Sequence, residues 1–195
     1  MTVLTRQLGA GLRMLLVLTV LTGILYPLVV LGLGQAVDHE AANGSLVSRD
    51  GKVVASTSLG QSVAKDQAAK WFQARPSASE YAGDSSGGSN LGPAASDQLK
   101  ALKDNGDEVR TANPGAPTVL PPDALTASAS GLDPDISPEY ALLQVRRVAA
   151  ARGLPEATLR QLVEDHTKGR LLGFLGEPRV NTTELNLALA HLPTA

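Results

Sequence analysis

The chain has 195 residues, 17 basic and 19 acidic, for a net charge of −2, and it contains no cysteine. Without cysteine there is no disulfide framework, no thiol nucleophile and no cysteine-ligated metal. Only Arg6 and Arg13 precede the one long apolar run, so the remainder carries 15 basic against 19 acidic residues. That balance excludes the concentrated basic face of a nucleic-acid-binding protein.

The apolar run is Met14 to Val37, MLLVLTVLTGILYPLVVLGLGQAV, closed by Asp38 and Glu40. As a helix it reaches about 36 Å, enough for a hydrocarbon core of about 30 Å. Basic residues flank only its N-terminal end, which the positive-inside bias keeps cytoplasmic. The organisation expected is a short cytoplasmic N-terminus (1–13), a transmembrane helix (14–37) and one extracytoplasmic domain (38–195) in the inner, cytoplasmic membrane. A cleaved signal peptide is the alternative, but its apolar region is usually only about 7 to 15 residues and ends in a small-x-small site. Thr19, Thr22, Gly23, Tyr26 and Pro27 recur along one side of the span. Small and hydroxyl residues let membrane helices approach closely, so this side is the candidate face for partner helices, with Pro27 a candidate kink. A lone span with such a face suggests a subunit of a membrane complex.

Beyond the span, Asp50-Gly51 is a hairpin-turn dipeptide between β-like runs at Leu46–Ser48 and Val53–Ser56. Asp66 is placed to cap a short helix through Gln73. Arg75 to Pro93 reads as loop, and Ser96 to Arg110 as a helix that Asn105-Gly106 should break. Asn113 to Pro138 is proline-rich and irregular, and such long loops in compact domains are usually functional. Ser137-Pro138-Glu139 starts a helix that Gly153 stops, with Leu142, Val145, Ala149 and Arg152 as its stripe. Pro155-Glu156 starts another, with Leu159, Leu162, Val163 and His166 on one face. Leu171–Leu175 reads as a short strand, and Asn181 with Glu184 has capping-box-like spacing ahead of a terminal helix. The fold class expected is α+β: one N-terminal transmembrane helix, then one mixed α/β domain whose core is mostly Leu, Val and Ala.

Few residues suggest chemistry. His39, His166 and His191 are the only histidines, none has a metal-ligand spacing, and no G-x-S-x-G elbow accompanies them. Neither a catalytic residue nor a metal site is assigned. In Ser85–Pro93, the glycines and hydroxyls of Ser86, Gly87 and Gly88 can form an anion-binding nest, or a tight turn that docks on a neighbour. No G-x-x-x-x-G-K-[ST] accompanies them, so a self-sufficient nucleotide site is not supported. Gln144, a polar amide on an apolar helix, reads as a buried hydrogen-bonded group and less readily as a ligand contact. Arg146, Arg147 and Arg152 read as a solvated face or as partners for acids on another surface. A membrane-anchored enzyme acting on envelope components is the alternative to a complex subunit.

Several segments, taken in order, resemble the C subunit of the bacterial Kdp potassium-transporting ATPase. They are LTVLTGILYPLVV, ARPSAS, SGGSNLGP, LTASASGLDPDISP, QVRRVAAARGL and HTKGRLLGFLGEPRVNTTELNLALA. The resemblance implies a non-catalytic accessory subunit without a cofactor of its own. Its implied partners are a potassium-translocating A subunit and an ATP-hydrolysing B subunit, with a small F subunit as an additional candidate. It further implies a catalytic chaperone that raises the ATP affinity of the B subunit through a transient complex with ATP. Ser86, Gly87, Gly88 and Gln144 are then the nucleotide candidates on this chain. The chain departs from the family pattern at Ala74, at Ala94-Ala95-Ser96, at Ala129 and at Asp135, where histidine is usual, so no His-dependent role is carried to position 135.

Overall fold

The computed structural model describes residues 2–49 and 51–192; the Asp50 half of the expected Asp50-Gly51 turn lies outside the described residues. The chain divides into two compact units, one through Leu46 and one from Val47 onward. In the first, Val3–Val37 is a continuous apolar helix of 35 residues, none of it buried. At 1.5 Å per residue it is about 50 Å long, and it starts well before the apolar run does.

That helix is not uniform. Helix α1 (Val3–Val20) passes into a π-helical turn at Leu21–Leu25 and then into α2 (Tyr26–Val37). The Tyr26 N–H donates to the Leu21 carbonyl, five residues back. Pro27 has no N–H to offer the Gly23 carbonyl, and in a regular α-helix its ring would press on that group. A widened turn immediately upstream accommodates both defects, so the disturbance expected at Pro27 takes the form of a π turn. A short α3 (His39–Ala42) follows, capped by Asp38, whose carboxylate accepts from the Ala41 N–H at 2.9 Å.

Strand β1 (Leu46–Arg49), whose first residue closes the first unit, pairs with β2 (Lys52–Ser56) of the second. The helix expected from Asp66 to Gln73 is reduced to a 3₁₀ turn at Ala68–Lys70. Tertiary amides hold the chain extended beyond it: Phe72 exchanges both backbone bonds with the Asn186 side chain (2.9 and 2.8 Å), and Gln73 does so with Gln144 (2.7 and 3.0 Å). Local helix propensity is a weak prior against four such long-range bonds.

Helix α4 (Ser96–Ala112) runs through Asn105-Gly106 without a break. Gly106 is buried there, and a Cβ at that position would lie 3.4 Å from Leu125, while Asn105 donates to the Leu125 carbonyl at 2.7 Å. The dipeptide marks close approach to α5 (Pro122–Leu125), the one helical turn within the proline-rich stretch. Strand β3 (Asp135–Ile136) leads into α6 (Pro138–Arg152), α7 (Glu156–Asp165), β4 (Thr167–Lys168), β5 (Arg179–Asn181) and α8 (Thr182–Ala190). Strand β5 is central and antiparallel to both neighbours, with Val180 opposite Ile136 on one side and Thr167 on the other.

The expected caps form at both helix starts. Ser137 Oγ accepts from the Tyr140 N–H at 3.1 Å, and Asn181 Oδ1 from the Glu184 N–H at 3.0 Å. Gly153, in the left-handed region at φ 67°, ends α6. The buried face of α6 is wider than the aliphatic stripe and rotated from it: Tyr140, Gln144 and Val148 are buried, while Leu142 is only half-buried. Around it pack Phe72, Leu159, Val163, Val180, Leu185 and Leu189, all essentially inaccessible. Each contributes roughly 1.5–3 kcal/mol by leaving water.

Candidate functional site

Three features of the second unit and one of the first could carry function. The polar stretches Ser77–Gly88 and Thr126–Asp133 are laced together. Ser77 Oγ donates to the Gly131 carbonyl at 2.6 Å, and the Gly87 N–H and Ser86 Oγ donate to the Ser130 carbonyl at 2.8 and 3.0 Å. A Cβ on Gly88 would come within 3.0 Å of the Ala129 carbonyl oxygen, which is why the backbones can lie so close. Arg75 spans the base of this clasp, binding the Thr126 carbonyl and pairing with Asp133 at 3.3 Å. The Tyr81 hydroxyl donates to the Arg75 carbonyl at 2.6 Å, and burial raises its pKa. Of the two geometries open to Ser86–Gly88, the docked turn is the one present, and the Gly87 N–H that a nest would aim at an anion already has a partner.

Gln144 is fully buried. Its Oε1 accepts from the Gln73 N–H and from Arg147 Nη2 at 2.6 Å, and its Nε2 donates to the Gln73 carbonyl, so the amide acts as a short piece of sheet edge. It borders a cavity of about 370 Å³ together with Arg75 and Arg147, to which Ser86, Gly87 and Gly88 do not contribute. The four nucleotide candidates thus fall in two places.

The three arginines of α6 also separate. Arg147 points inward, donating to the carbonyls of Ala68, Ala69 and Trp71, and burial lowers its pKa. Burial pushes the Tyr140 phenol up to about 12, with the Arg147 charge pulling the other way. Arg152 is 9% exposed and lies 4.9 Å over the Trp71 ring. A solvated face describes only Arg146, because carbonyl-rich turns and the indole draw the other two inward. Spacing carries no trace of that, since the acceptors are backbone groups far away in sequence. His166 and His191 each place Nδ1 2.8 Å from the carbonyl four residues back in their own helix.

The Leu171–Leu175 segment is a tight turn closed by a single two-residue bridge, where the sequence suggested a strand. Leu171 and Leu175 exchange both backbone bonds at 2.9 Å, and Leu172 sits at φ 54°, a strained conformation for leucine. The turn projects Leu171, Leu172 and Phe174, 67%, 76% and 69% exposed. Three large apolar side chains on one tip are the kind of exposed patch that marks an interaction site.

In the first unit, Thr22 and Gly23 lie within the π turn, Tyr26 and Pro27 follow it, and Thr19 lies two residues before it. The Thr22 hydroxyl donates to the Leu18 carbonyl at 2.7 Å, while a Cβ on Gly23 would meet only Thr19 Cγ2, at 3.9 Å. The five residues expected to face partner helices therefore surround one backbone irregularity, and each is exposed among the described residues.

Among the described residues, one exposed helix long and apolar enough to cross a membrane, with a globular unit that carries uncovered apolar surface, suits a single-pass membrane protein that works in an assembly. A model of the KdpC family, described as the c chain of K+-transporting ATPases, matches residues 8–191. The chain is 51% identical over 191 residues to the potassium-transporting ATPase KdpC subunit of Kineococcus radiotolerans, covering 97% of this chain and 95% of that one. It is 52% identical over 186 residues to the KdpC subunit of Sorangium cellulosum (94% and 96% covered) and 46% identical over 198 residues to that of Rhodopseudomonas palustris (94% and 97%). The chain belongs to the KdpC family.

Proposed function

We propose that this chain is the non-catalytic accessory subunit of an ATP-driven potassium importer. It is anchored by the Val3–Val37 helix, with the globular unit on the exterior face of the cytoplasmic membrane. The observation that carries the reading is the family match over residues 8–191, nearly the whole chain. The orientation rests on Arg6 and Arg13 before the span and Asp38 and Glu40 after it. In the complex, the span packs its Thr19–Pro27 side against partner helices, and the Leu171–Leu175 tip docks on the potassium-translocating A subunit. The subunit acts as a catalytic chaperone, raising the ATP affinity of the hydrolysing B subunit through the shared assembly, a coupling free energy between distant sites. Indirect coupling is favoured because the Gln144 amide and the Gly87 N–H are already engaged within the chain.

Two measurements test this. The chain has no cysteine, so Ser85→Cys, on an exposed loop, gives a unique label. A membrane-impermeant maleimide should modify it in intact cells, and protection until the membrane is opened would refute the orientation. Leu172→Asp with Phe174→Asp should leave the unfolding curve in place, abolish copurification of the larger subunits and raise the KM for ATP of the remaining complex. Full copurification with an unchanged KM would refute the docking role of the tip.

A further inference from the structure

Arg49, Lys70 and Arg152 converge on one cavity of about 620 Å³, whose wall also includes Gln67, Trp71 and Gly153. Among the described residues no carboxylate lines it, and none of the three cations forms an ion pair. Asp66 is hydrogen-bonded to the lining Gln67 at 3.0 Å but does not itself border the cavity. This is unexpected in a unit with more acidic than basic residues.

Arg152 is the informative member. It is nine-tenths buried, its Nη2 donates to the Leu189 carbonyl at 3.1 Å, and its Nε has no hydrogen-bond partner. Leaving a guanidinium N–H buried and unpaired costs about 1–3 kcal/mol, more for a charged group. Burial lowers the Arg152 pKa, the mark of a charge held without a counter-charge. Helices α6 and α8 both end at this wall, and their dipoles supply about −0.5 charge each. Three full positive charges outweigh that, leaving an excess of about two.

A second cavity, of about 420 Å³, shares Arg49, Gln67, Trp71 and Ala190 with the first and is lined otherwise mainly by Val54, Val63 and Leu187 with the amides of Gln61 and Asn186. The cleft thus has a cationic end and an apolar end, with the indole between them. We propose that it binds a phosphate-type dianion or phosphate ester, with Arg49, Lys70 and Arg152 taking the phosphoryl oxygens and the apolar end taking the rest of the ligand. The sources of that chemistry are a free phosphate compound and the headgroup of an anionic phospholipid.

Trp71 is the only tryptophan in the chain and stacks under Arg152, so its fluorescence reports occupancy directly. The full-length protein in neutral detergent is titrated with inorganic phosphate against chloride at matched ionic strength. In parallel it is placed in nanodiscs of phosphatidylcholine with increasing phosphatidylglycerol. A saturable change is expected in at least one arm, the phosphate arm identifying a soluble ligand and the lipid arm alone a headgroup. Arg49→Gln with Lys70→Gln, both exposed side chains, should raise the half-saturation point at least about tenfold. Lys100→Gln with Lys103→Gln, a surface pair elsewhere, should not change it. If the first double variant fails to fold, Lys70→Gln alone supplies the comparison. No saturable response in either arm, or equal half-saturation in the two double variants, would overturn the proposal.

Discussion

The Ser77–Gly88 clasp and the Leu171–Leu175 turn both look like loops in sequence, and their compositions suggest the opposite of what each does. The clasp is built from serine and glycine, yet its hydroxyls and N–H groups point into the unit and close on the carbonyls of Gly131 and Ser130. The turn is built from leucine and phenylalanine, yet it stands in solvent, and its backbone bonds stay within residues 170–175. Polarity decides burial when side chains must find their own water or oil. Here the clasp hydroxyls find backbone acceptors instead, and the turn's apolar surface stays uncovered among the described residues. One loop is therefore structural in the face of its composition, and the other is outward-facing in the face of its own.

Glycine-to-alanine changes test this most directly, because a glycine at positive φ sits at each place, Gly131 on the segment that closes over Ser77–Gly88 and Gly173 in the turn. Gly131 sits at φ 69°, and a Cβ there would lie 2.3 Å from Ser79 Oγ and 2.7 Å from the Gly87 carbonyl oxygen. Both the backbone strain and the clash act, and the second partner is main chain that cannot step aside. Gly131→Ala should cost about 3 kcal/mol or more in urea unfolding of the full-length protein in mild detergent. An unaltered midpoint would mean the clasp is not fixed in this arrangement.

Gly173 sits at φ 82° with nothing within 4 Å of an added Cβ. Gly173→Ala should cost only about 1 kcal/mol, from backbone strain alone. A loss as large as that at Gly131 would show that the turn has packing partners and is not a free tip.

The helix-forming parts of this fold were legible because their signals are local. Ser137-Pro138-Glu139, Gly153 and Asn181 with Glu184 act on groups within four residues, and each cap forms as read. What escaped is non-local. Asn105-Gly106 reads as a breaker until Leu125 is placed against it, and Asp66–Gln73 reads as a helix until Gln144 and Asn186 claim its backbone. The apolar span was plain from composition, but a π turn depends on how a proline's missing bond is absorbed. For the candidate sites, Gln144 was read as a buried partner from its apolar surroundings. The inward turn of Arg147 and Arg152 had no sequence mark at all, because their acceptors are carbonyls and an indole.

Asp135 joins the two loops and gives the smallest and sharpest test. It opens β3 two residues after the clasp, it pairs with Asn181 of β5, and its carboxylate meets Arg179, which follows the apolar turn, at 3.0 Å. Its pKa is raised above the ordinary value of 3.8: burial raises it most, Arg179 opposes, and Asp133 adds to the rise. The folded state therefore holds the proton more tightly than the unfolded chain does. The associated stability is fully present below the ordinary value and is lost as pH rises through the folded one. Asp135→Asn removes that titration, so its stability should stay flat over the window just above pH 3.8 in which the natural chain declines. The difference should be small, because the group is partly solvated and its ion pair is screened. Urea unfolding at half-unit pH steps resolves it. If the variant instead declines in parallel with the natural chain, Arg179 cancels burial at this carboxylate, and the bond between the two loops is an ion pair with no proton linkage.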